Sequence, residues 1–295
     1  MTTSVRVAVL PAGGLGTRLL PVTRSVPKEL LPLVDTPIIE KVVEDVVAAG
    51  VDEVVIVTSP GKDALRTHFT AAPELASRLR RDGRTAEADR VERAAALARF
   101  TFVEQREPLG NGHAVLLARE AVGPRPFLMI WPDDLVISEP PVAVQLVRAR
   151  ERLGGGSVAA AQRVPLAEAP RYGIVSGEQL DDRTWRVRAL VEKPERPPSD
   201  VAVLHGYLLE PEIFDVLAEQ RPGKGGEIWL TDAVSALAGR APVHAYLYDG
   251  ERYDAGDRLG YVRAVVTSAL ARPDLAGPLR DWLRRVTEGR PTEDA

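Results

Sequence analysis

Short apolar runs alternate with helix-patterned stretches along the first half of the chain, and this alternation restricts the fold more than any other feature. "VRVAVL" (5–10) reads as a buried strand. "TPIIEKVVEDVVAAG" (36–50) reads as a helix, because Ile38, Ile39, Val42, Val43, Val46 and Val47 recur on one helical face. Gly50 stops it, and "VDEVVIVTS" (51–59) is a second buried strand. The result is a β–α–β unit, whose strands run parallel with a right-handed crossover. The pattern returns in "RFTFVEQ", "NGHAVLLAREAV", "RPFLMIW" and "PVAVQLVRARERL". It predicts an α/β fold, a doubly wound, mostly parallel mixed sheet with helices on both faces. Beyond Gly154–Gly156, the shorter runs "SVAAAQRV", "YGIVSG", "WRVRALVEKP" and "VAVLHGYLL" predict a smaller antiparallel extension carrying the second half of a site.

Three stretches interrupt or end this pattern. Residues 61–99 are helix-prone and rich in arginine and glutamate, which reads as solvated helices on the rim. "RLGYVRAVVTSALAR" and "GPLRDWLRRVTEG" are helical, and the final "RPTEDA" is expected to fray. A net charge of −4 argues against a nucleic-acid binder, which needs a basic surface. The absence of cysteine excludes disulfides, thiolate metal sites and a cysteine nucleophile. With no apolar stretch of spanning length and no secretory pattern at the start, the expectation is a cytoplasmic protein without a membrane partner.

The loop after the first strand, "LPAGGLGTRLLPVTRSVPKELLPL" (10–33), carries the first chemical signal. Glycines 13, 14 and 16 at a strand's C-terminal end allow close backbone approach to a ligand. Their spacing matches neither G-x-G-x-x-G nor the P-loop. Arg18 offers a planar fork to phosphate oxygens and Lys28 a compact charge, while Pro21 and Pro27 restrict the loop that holds them. The combination suits a polyphosphate. "WPDDLV" places paired aspartates at a strand end, a pattern that fits either a Mg²⁺ site or an ordinary turn. In "LVEKPE", Glu192 can accept from sugar hydroxyls and Lys193 can bind a sugar phosphate.

These motifs, in this order, resemble the bacterial glucose-1-phosphate uridylyltransferases within the sugar-1-phosphate nucleotidyltransferases. Gly14–Leu15–Gly16–Thr17–Arg18 and Pro27–Lys28 match the family's G-x-G-T-R and P-K signatures, and the likeness runs from about Val5 to Trp282. The resemblance implies a Rossmann-like, GT-A-like nucleotidyltransferase domain over 5–265, with nucleotide-binding (5–153) and sugar-binding (154–265) parts. A helical segment, 266–295, follows as an oligomer contact. It further implies Mg²⁺ on Asp133 and on Asp254 of "YDAGDRLGY", with Asp257 capping the next helix. The nucleotide falls to Ala12, Gly13, Gly14, Gln105 and Gly110, Gln105 reading the base. The sugar falls to Asp134, Gly173, Glu192 and Lys193, and catalysis to Arg18, Lys28 and Lys193. His113 reads as a core or helix-start residue, and Thr231–Asp232 as the start of a helix. The implied substrates are UTP, with dTTP as its rival, and glucose 1-phosphate, in a homodimer or homotetramer; the non-enzyme alternative is a sugar-nucleotide sensor. Two positions depart from the family: "HGYLL" puts His205 at a glycine and Gly206 at an arginine, and Trp229 replaces a glutamine. His205 is expected to narrow the sugar pocket or donate to a hydroxyl, and Trp229 to pack at a subunit contact.

Overall fold

β-branched residues fill the first strands because both faces of a central strand are covered, and Val7, Ala8, Val9 and Leu10 are fully buried. A computed structural model describes residues 4–289. The first half of the chain runs β1 (Val7–Pro11), the short β2 (Pro32–Leu33) and β3 (Thr36–Pro37), α1 (Ile38–Ala48) and β4 (Glu53–Thr58). Then come α2 (Asp63–His68), α3 (Pro73–Arg81), α4 (Thr85–Ala96), β5 (Arg99–Glu104), α5 (Asn111–Leu117) and α6 (Arg119–Val122). β6 (Phe127–Ile130), β7 (Asp134–Ile137) and α7 (Val142–Arg152) complete it. The second half contains β8 (Ser157–Arg163), β9 (Gly173–Gln179), β10 (Thr184–Glu192) and β11 (Val201–Leu209). It ends with α8 (Ile213–Glu219), α9 (Leu230–Ala238), β12 (Val243–Leu247), β13 (Glu251–Asp254), α10 (Arg258–Leu270) and α11 (Pro273–Thr287).

The main sheet has the order β5-β4-β1-β6-β11-β8-β12-β10-β9. β1 pairs in parallel with β4 and with β6, and β4 with β5, as the β–α–β reading requires. The expected mostly parallel sheet needs correction. β11 enters antiparallel between β6 and β8, and β10 is antiparallel to both β9 and β12, so beyond β6 only β8 and β12 run parallel. The sequence predicts these antiparallel runs only as a smaller extension; it does not show that β11 enters the main sheet beside β6. The antiparallel strands continue the same sheet. β1 shows how its two faces are built: Ala8 and Leu10 join a cluster with Ile39 and Val43 of α1 and Leu146 of α7, whereas Val7 and Val9 join Val115 of α5, Phe214 of α8 and Val234 of α9.

Smaller differences have local causes. The first helix starts at Ile38 because Thr36 and Pro37 pair back onto Leu33 and Pro32. Exposed pairs such as Arg80–Glu92 and Arg84–Glu87 mark α3 and α4 as the solvated rim their composition predicted. A third, smaller cluster, including Leu19, Leu31, Leu135 and Tyr253, ties the loop after β1 to a separate β7–β13 ribbon. That tie brings residues from opposite ends of the chain to one edge of the sheet. No helix of the described residues is long and apolar enough to cross a membrane. The expected frayed tail, 290–295, lies outside them.

Candidate active site

The loop after β1 is shaped by its glycines. The Ala12 amide donates to the Val57 carbonyl (2.7 Å) and the Gln105 amide to Thr58 (2.7 Å), so both strand ends are held in line. A Cβ on Gly13 would come within 3.1 Å of Gln105 Oε1, so the glycine lets that side chain lie close over the loop. Gly16 adopts φ 64°, a left-handed conformation that opens the tight turn carrying Arg18. Thr23 Oγ1 donates to the Gly16 carbonyl (2.8 Å) and fixes the return of the chain.

Two residues hold this loop that the sequence reading passed over. Lys62 Nζ donates to the Ala12 and Gly14 carbonyls (2.5 and 2.7 Å) and reaches both oxygens of Glu29 (3.1 and 3.0 Å). Glu29 is completely buried, one residue after Lys28. Burial raises the Glu29 carboxyl above its usual range while Lys62 and Lys28 pull it down; burial likewise lowers the Lys62 ammonium, partly offset by Glu29. Lys28 Nζ lies 2.5 Å from Asp133 Oδ2. Burial depresses this ammonium, but Asp133 and Glu29 outweigh it and hold it above its ordinary value.

Asp133 lies in the turn between β6 and β7, and Asp254 ends β13 opposite Asp134. The Ala255 amide donates to the Asp133 carbonyl (3.0 Å), locking the two carriers together. Arg18 Nη1 reaches Asp254 Oδ2 at 3.1 Å, and the Gly256 amide donates to Asp254 Oδ1 at 3.0 Å. A Cβ on Gly256 would meet Arg18 Nη2 at 2.7 Å, Asp133 Oδ2 at 2.7 Å and Asp254 Oδ1 at 2.9 Å. Three functional groups remote in sequence thus point at one spot that glycine leaves open. Two hard carboxylate oxygens facing one space fit Mg²⁺, which takes one or two protein carboxylates and completes its shell with phosphate and water. Among the described residues no larger group of His, Cys, Asp and Glu could hold a metal.

On the other side of the Asp133–Asp134 turn lies a cavity of about 240 Å³, lined by Gly173, Glu192, Lys193, His205, Trp229 and Thr231 among others. Glu192 Oε2 accepts from Thr231 Oγ1 (2.7 Å), and a Cβ on Gly173 would come within 3.3 Å of the same oxygen. Lys193, with φ 44°, turns its ammonium to 3.6 Å from Glu192 Oε1 and 5.1 Å from the centre of the Trp229 ring. Trp229 is half-buried and lines this cavity. A larger cavity, about 350 Å³ between α1, β7 and Arg272, holds none of these groups, so size does not locate the site.

The structure places Arg18, Lys28, Asp133 and Asp254 around one space and Gly173, Glu192 and Lys193 around the cavity. Asp134 lines the cavity, but its carboxylate is buried against Arg252 Nε (2.7 Å) and accepts from the His205 amide (3.0 Å). It holds the ribbon and β11 together where a sugar contact was expected. Gln105 Nε2 donates to the Gly110 carbonyl (3.0 Å) and lies 3.1 Å from His113 Nδ1. His113 thus orients Gln105 from the first turn of α5. A Cβ on Gly110 would strike the Ile228 carbonyl at 2.6 Å, so this glycine serves close chain packing. Asp257 caps α10, accepting from the Gly260 amide at 2.9 Å, as expected. Arg252 was missed, although its place two residues before Asp254 on a strand put it on the same face.

Comparison with known proteins agrees with this assembly. A family model described as "Nucleotidyl transferase" matches residues 7–268. The chain is 41% identical over 287 residues, 97% of both chains, to a UTP--glucose-1-phosphate uridylyltransferase of Bacillus subtilis. It is 39% identical to the Staphylococcus haemolyticus protein of the same name, over 96% of this chain and 98% of that one. Among solved structures, a UDP-glucose pyrophosphorylase complexed with UDP-glucose superposes with a TM-score of 0.82 at 36% identity, covering 91% of this chain and all of that one. A UTP-bound pyrophosphorylase from Acinetobacter baumannii gives 0.88 at 30% identity, over 96% and 99% of the two chains. Similarity of this extent, over the segments that build the site, establishes that the chain belongs to the nucleotidyl transferase family.

Proposed function

We propose that this chain makes UDP-glucose and pyrophosphate from UTP and glucose 1-phosphate. The observation that carries the reading is the convergence of Arg18, Asp133 and Asp254 on the space at Gly256, with Lys28 on Asp133. Full-length relatives named for this reaction support it. A phosphate oxygen of the sugar ester attacks the α-phosphorus in line, a new P–O bond forms, and the bond to pyrophosphate breaks. Such displacements depend on positioning and charge neutralisation. Lys193 aligns the nucleophile at the cavity mouth, Lys28 binds the triphosphate, and the half-exposed Arg18 follows the departing pyrophosphate. Asp133 and Asp254 would hold Mg²⁺, which neutralises phosphate charge when bound.

Gly13 and Gly14, after Ala12, bring the backbone to the nucleotide. With its amide hydrogens spent on Gly110 and His113, Gln105 keeps Oε1 for the base, and a uracil N3–H is a matching donor. Glu192 accepts from sugar hydroxyls, with Gly173 against the ring. In this reading 5–153 holds the nucleotide and 154–265 the sugar, within a doubly wound domain covered by helices on both faces. The helical segment from residue 266 onward serves as an oligomer contact, a role that the exposed Trp282 and Val286 of α11 suit. The setting is cytoplasmic, without nucleic-acid or membrane partners. Pyrophosphate release from each of four nucleoside triphosphates with glucose 1-phosphate tests the proposal. UTP should dominate; preference for dTTP replaces the nucleotide assignment, and silence across the panel overturns the reaction.

A further inference from the structure

β11 departs from regular pairing at the wall of the hexose cavity. Its register with β8 jumps between Val203 and Tyr207, and His205 inside the jump has φ 73°. A left-handed conformation is strained for a residue with a side chain, and such strain persists only when the surroundings fix it. They do: the His205 amide donates to Asp134 Oδ2 (3.0 Å), and its carbonyl accepts from the Trp131 amide (3.0 Å). The bulge thereby places His205 among the residues that line the cavity, with only 2% of the residue exposed.

The ring's hydrogen is also placed. His205 Nδ1 lies 2.9 Å from the Asp134 backbone carbonyl, which can only accept, so Nδ1 carries the hydrogen and Nε2 a lone pair. Burial pushes the ring's pKa down to about 4, which keeps it neutral around pH 7. Nε2 has no hydrogen-bond partner among the described residues, and it is not one of the sealed, partnerless buried atoms.

We infer that His205 is a specificity residue whose Nε2 accepts a hydrogen bond from one hydroxyl of the hexose. The inference rests on the hexose 1-phosphate reading above and deepens it. It also reverses part of the sequence expectation: with Nδ1 committed, the ring accepts from a hydroxyl and does not donate to it. The cavity then offers two acceptors of different character, the anionic Glu192 and the neutral His205. A sugar lacking the hydroxyl that faces His205 leaves Nε2 buried and unpaired.

The test compares glucose 1-phosphate with its deoxy and fluoro analogues, position by position, in the unaltered enzyme and in His205→Gly. Glycine accepts φ 73° and retains both backbone bonds, so the substitution removes only the ring. In the unaltered enzyme, one ring position should lose about 10–100-fold in kcat/KM on deoxygenation, and fluorine should do no better because it cannot donate. In His205→Gly that one penalty should shrink to within about threefold of the parent, with penalties elsewhere unchanged. A purely structural role would slow all analogues alike, and an unchanged position profile overturns the inference. So does a fluoro analogue tolerated where the deoxy sugar is not, since it places a donor there. Absence of turnover with glucose 1-phosphate in the unaltered enzyme is a distinct result: it overturns the hexose reading, and this inference with it. As a measurement independent of turnover, the ring ¹⁵N–¹H spectrum of a chain with four histidines should show His205, identified by its loss in the glycine variant, protonated on Nδ1. Protonation on Nε2 overturns the inference.

Discussion

The two sides of the Asp133–Asp134 turn solve the binding of charge differently. On the nucleotide side the cations are met by protein carboxylates: Lys28 by Asp133, Arg18 by Asp254, Lys62 by Glu29. On the hexose side Lys193 stands over an aromatic ring with Glu192 Oε1 a loose 3.6 Å away. Glu192 is anchored by a threonine hydroxyl, Arg252 is paired with the buried Asp134, and a neutral histidine is fixed by a carbonyl. The first arrangement keeps a dense set of charges folded at one place and must exchange partners when phosphates and a divalent cation arrive. The second holds its acceptors with hydroxyl and carbonyl partners and buries its Arg252–Asp134 pair, so fewer of its partners need to rearrange. Damage should therefore differ in kind, costing stability or turnover on the nucleotide side and sugar affinity on the hexose side.

The largest expected effect comes from Lys62. Lys62→Met leaves Glu29 buried without its hydrogen-bonded cation, and loss of about 3–5 kcal/mol of stability is expected in urea unfolding. Lys62→Met/Glu29→Gln removes the buried charge as well and should recover most of that loss. Both variants should show a raised KM for UTP, because the Ala12 and Gly14 carbonyls have lost their shared donor. A single variant as stable as the double would show that the carboxylate needs no partner, and the contrast between the two sides would weaken.

Lys28→Ala comes next. Turnover should fall on the order of 10²–10³-fold at saturating substrates, the scale of removing a preorganised charge from a developing anion. Circular dichroism should show the fold retained. Turnover within a few-fold of the parent would remove Lys28 from the phosphate site. On the hexose side, Thr231→Val frees Glu192 from its hydroxyl donor, and the KM for glucose 1-phosphate should rise about fivefold to tenfold. The KM for UTP should stay the same in that variant; a parallel rise would show that the two sides are not separable.

Legibility in the sequence followed the same divide. Arg18, Lys28 and the glycine loop lie within one stretch, so their local chemistry was readable, and Asp133 and Asp254 followed from the order of motifs. Lys62 was not readable, because it opens a charged helical region whose usual meaning is a solvated face, and its partners are 33 to 50 residues away. The β–α–β half of the sheet was also legible, since a parallel pair needs a crossover helix and the helix was visible. The insertion of β11 between β6 and β8 was not, because alternation is identical in parallel and antiparallel strands. With it went Asp134, whose ties to Arg252 and the His205 amide exist only once three strands have met.

The smallest effect on activity provides the counter-case to these neutralised carboxylates. Asp45 of α1 borders the cavity beside β7, away from both binding sides, and the nearby Lys41 is paired with Glu44 instead. Burial pushes the Asp45 carboxyl up to about 7 from an ordinary value of 3.8, with Lys41 opposing only weakly. Between those two values the folded chain keeps a proton that the unfolded chain releases, so stability must fall as pH rises from about 4 through 7. Asp45→Asn abolishes that linkage. The variant should match the parent near pH 4 and exceed it in melting temperature increasingly as pH rises through 7 to 8. Its KM values for both substrates should be unchanged, because a carboxylate that no cation neutralises here has no part in either side of the site. Melting curves that stay parallel across this pH range would show that Asp45 ionises freely, and that burial without a partner is not what separates it from Glu29 and Asp133.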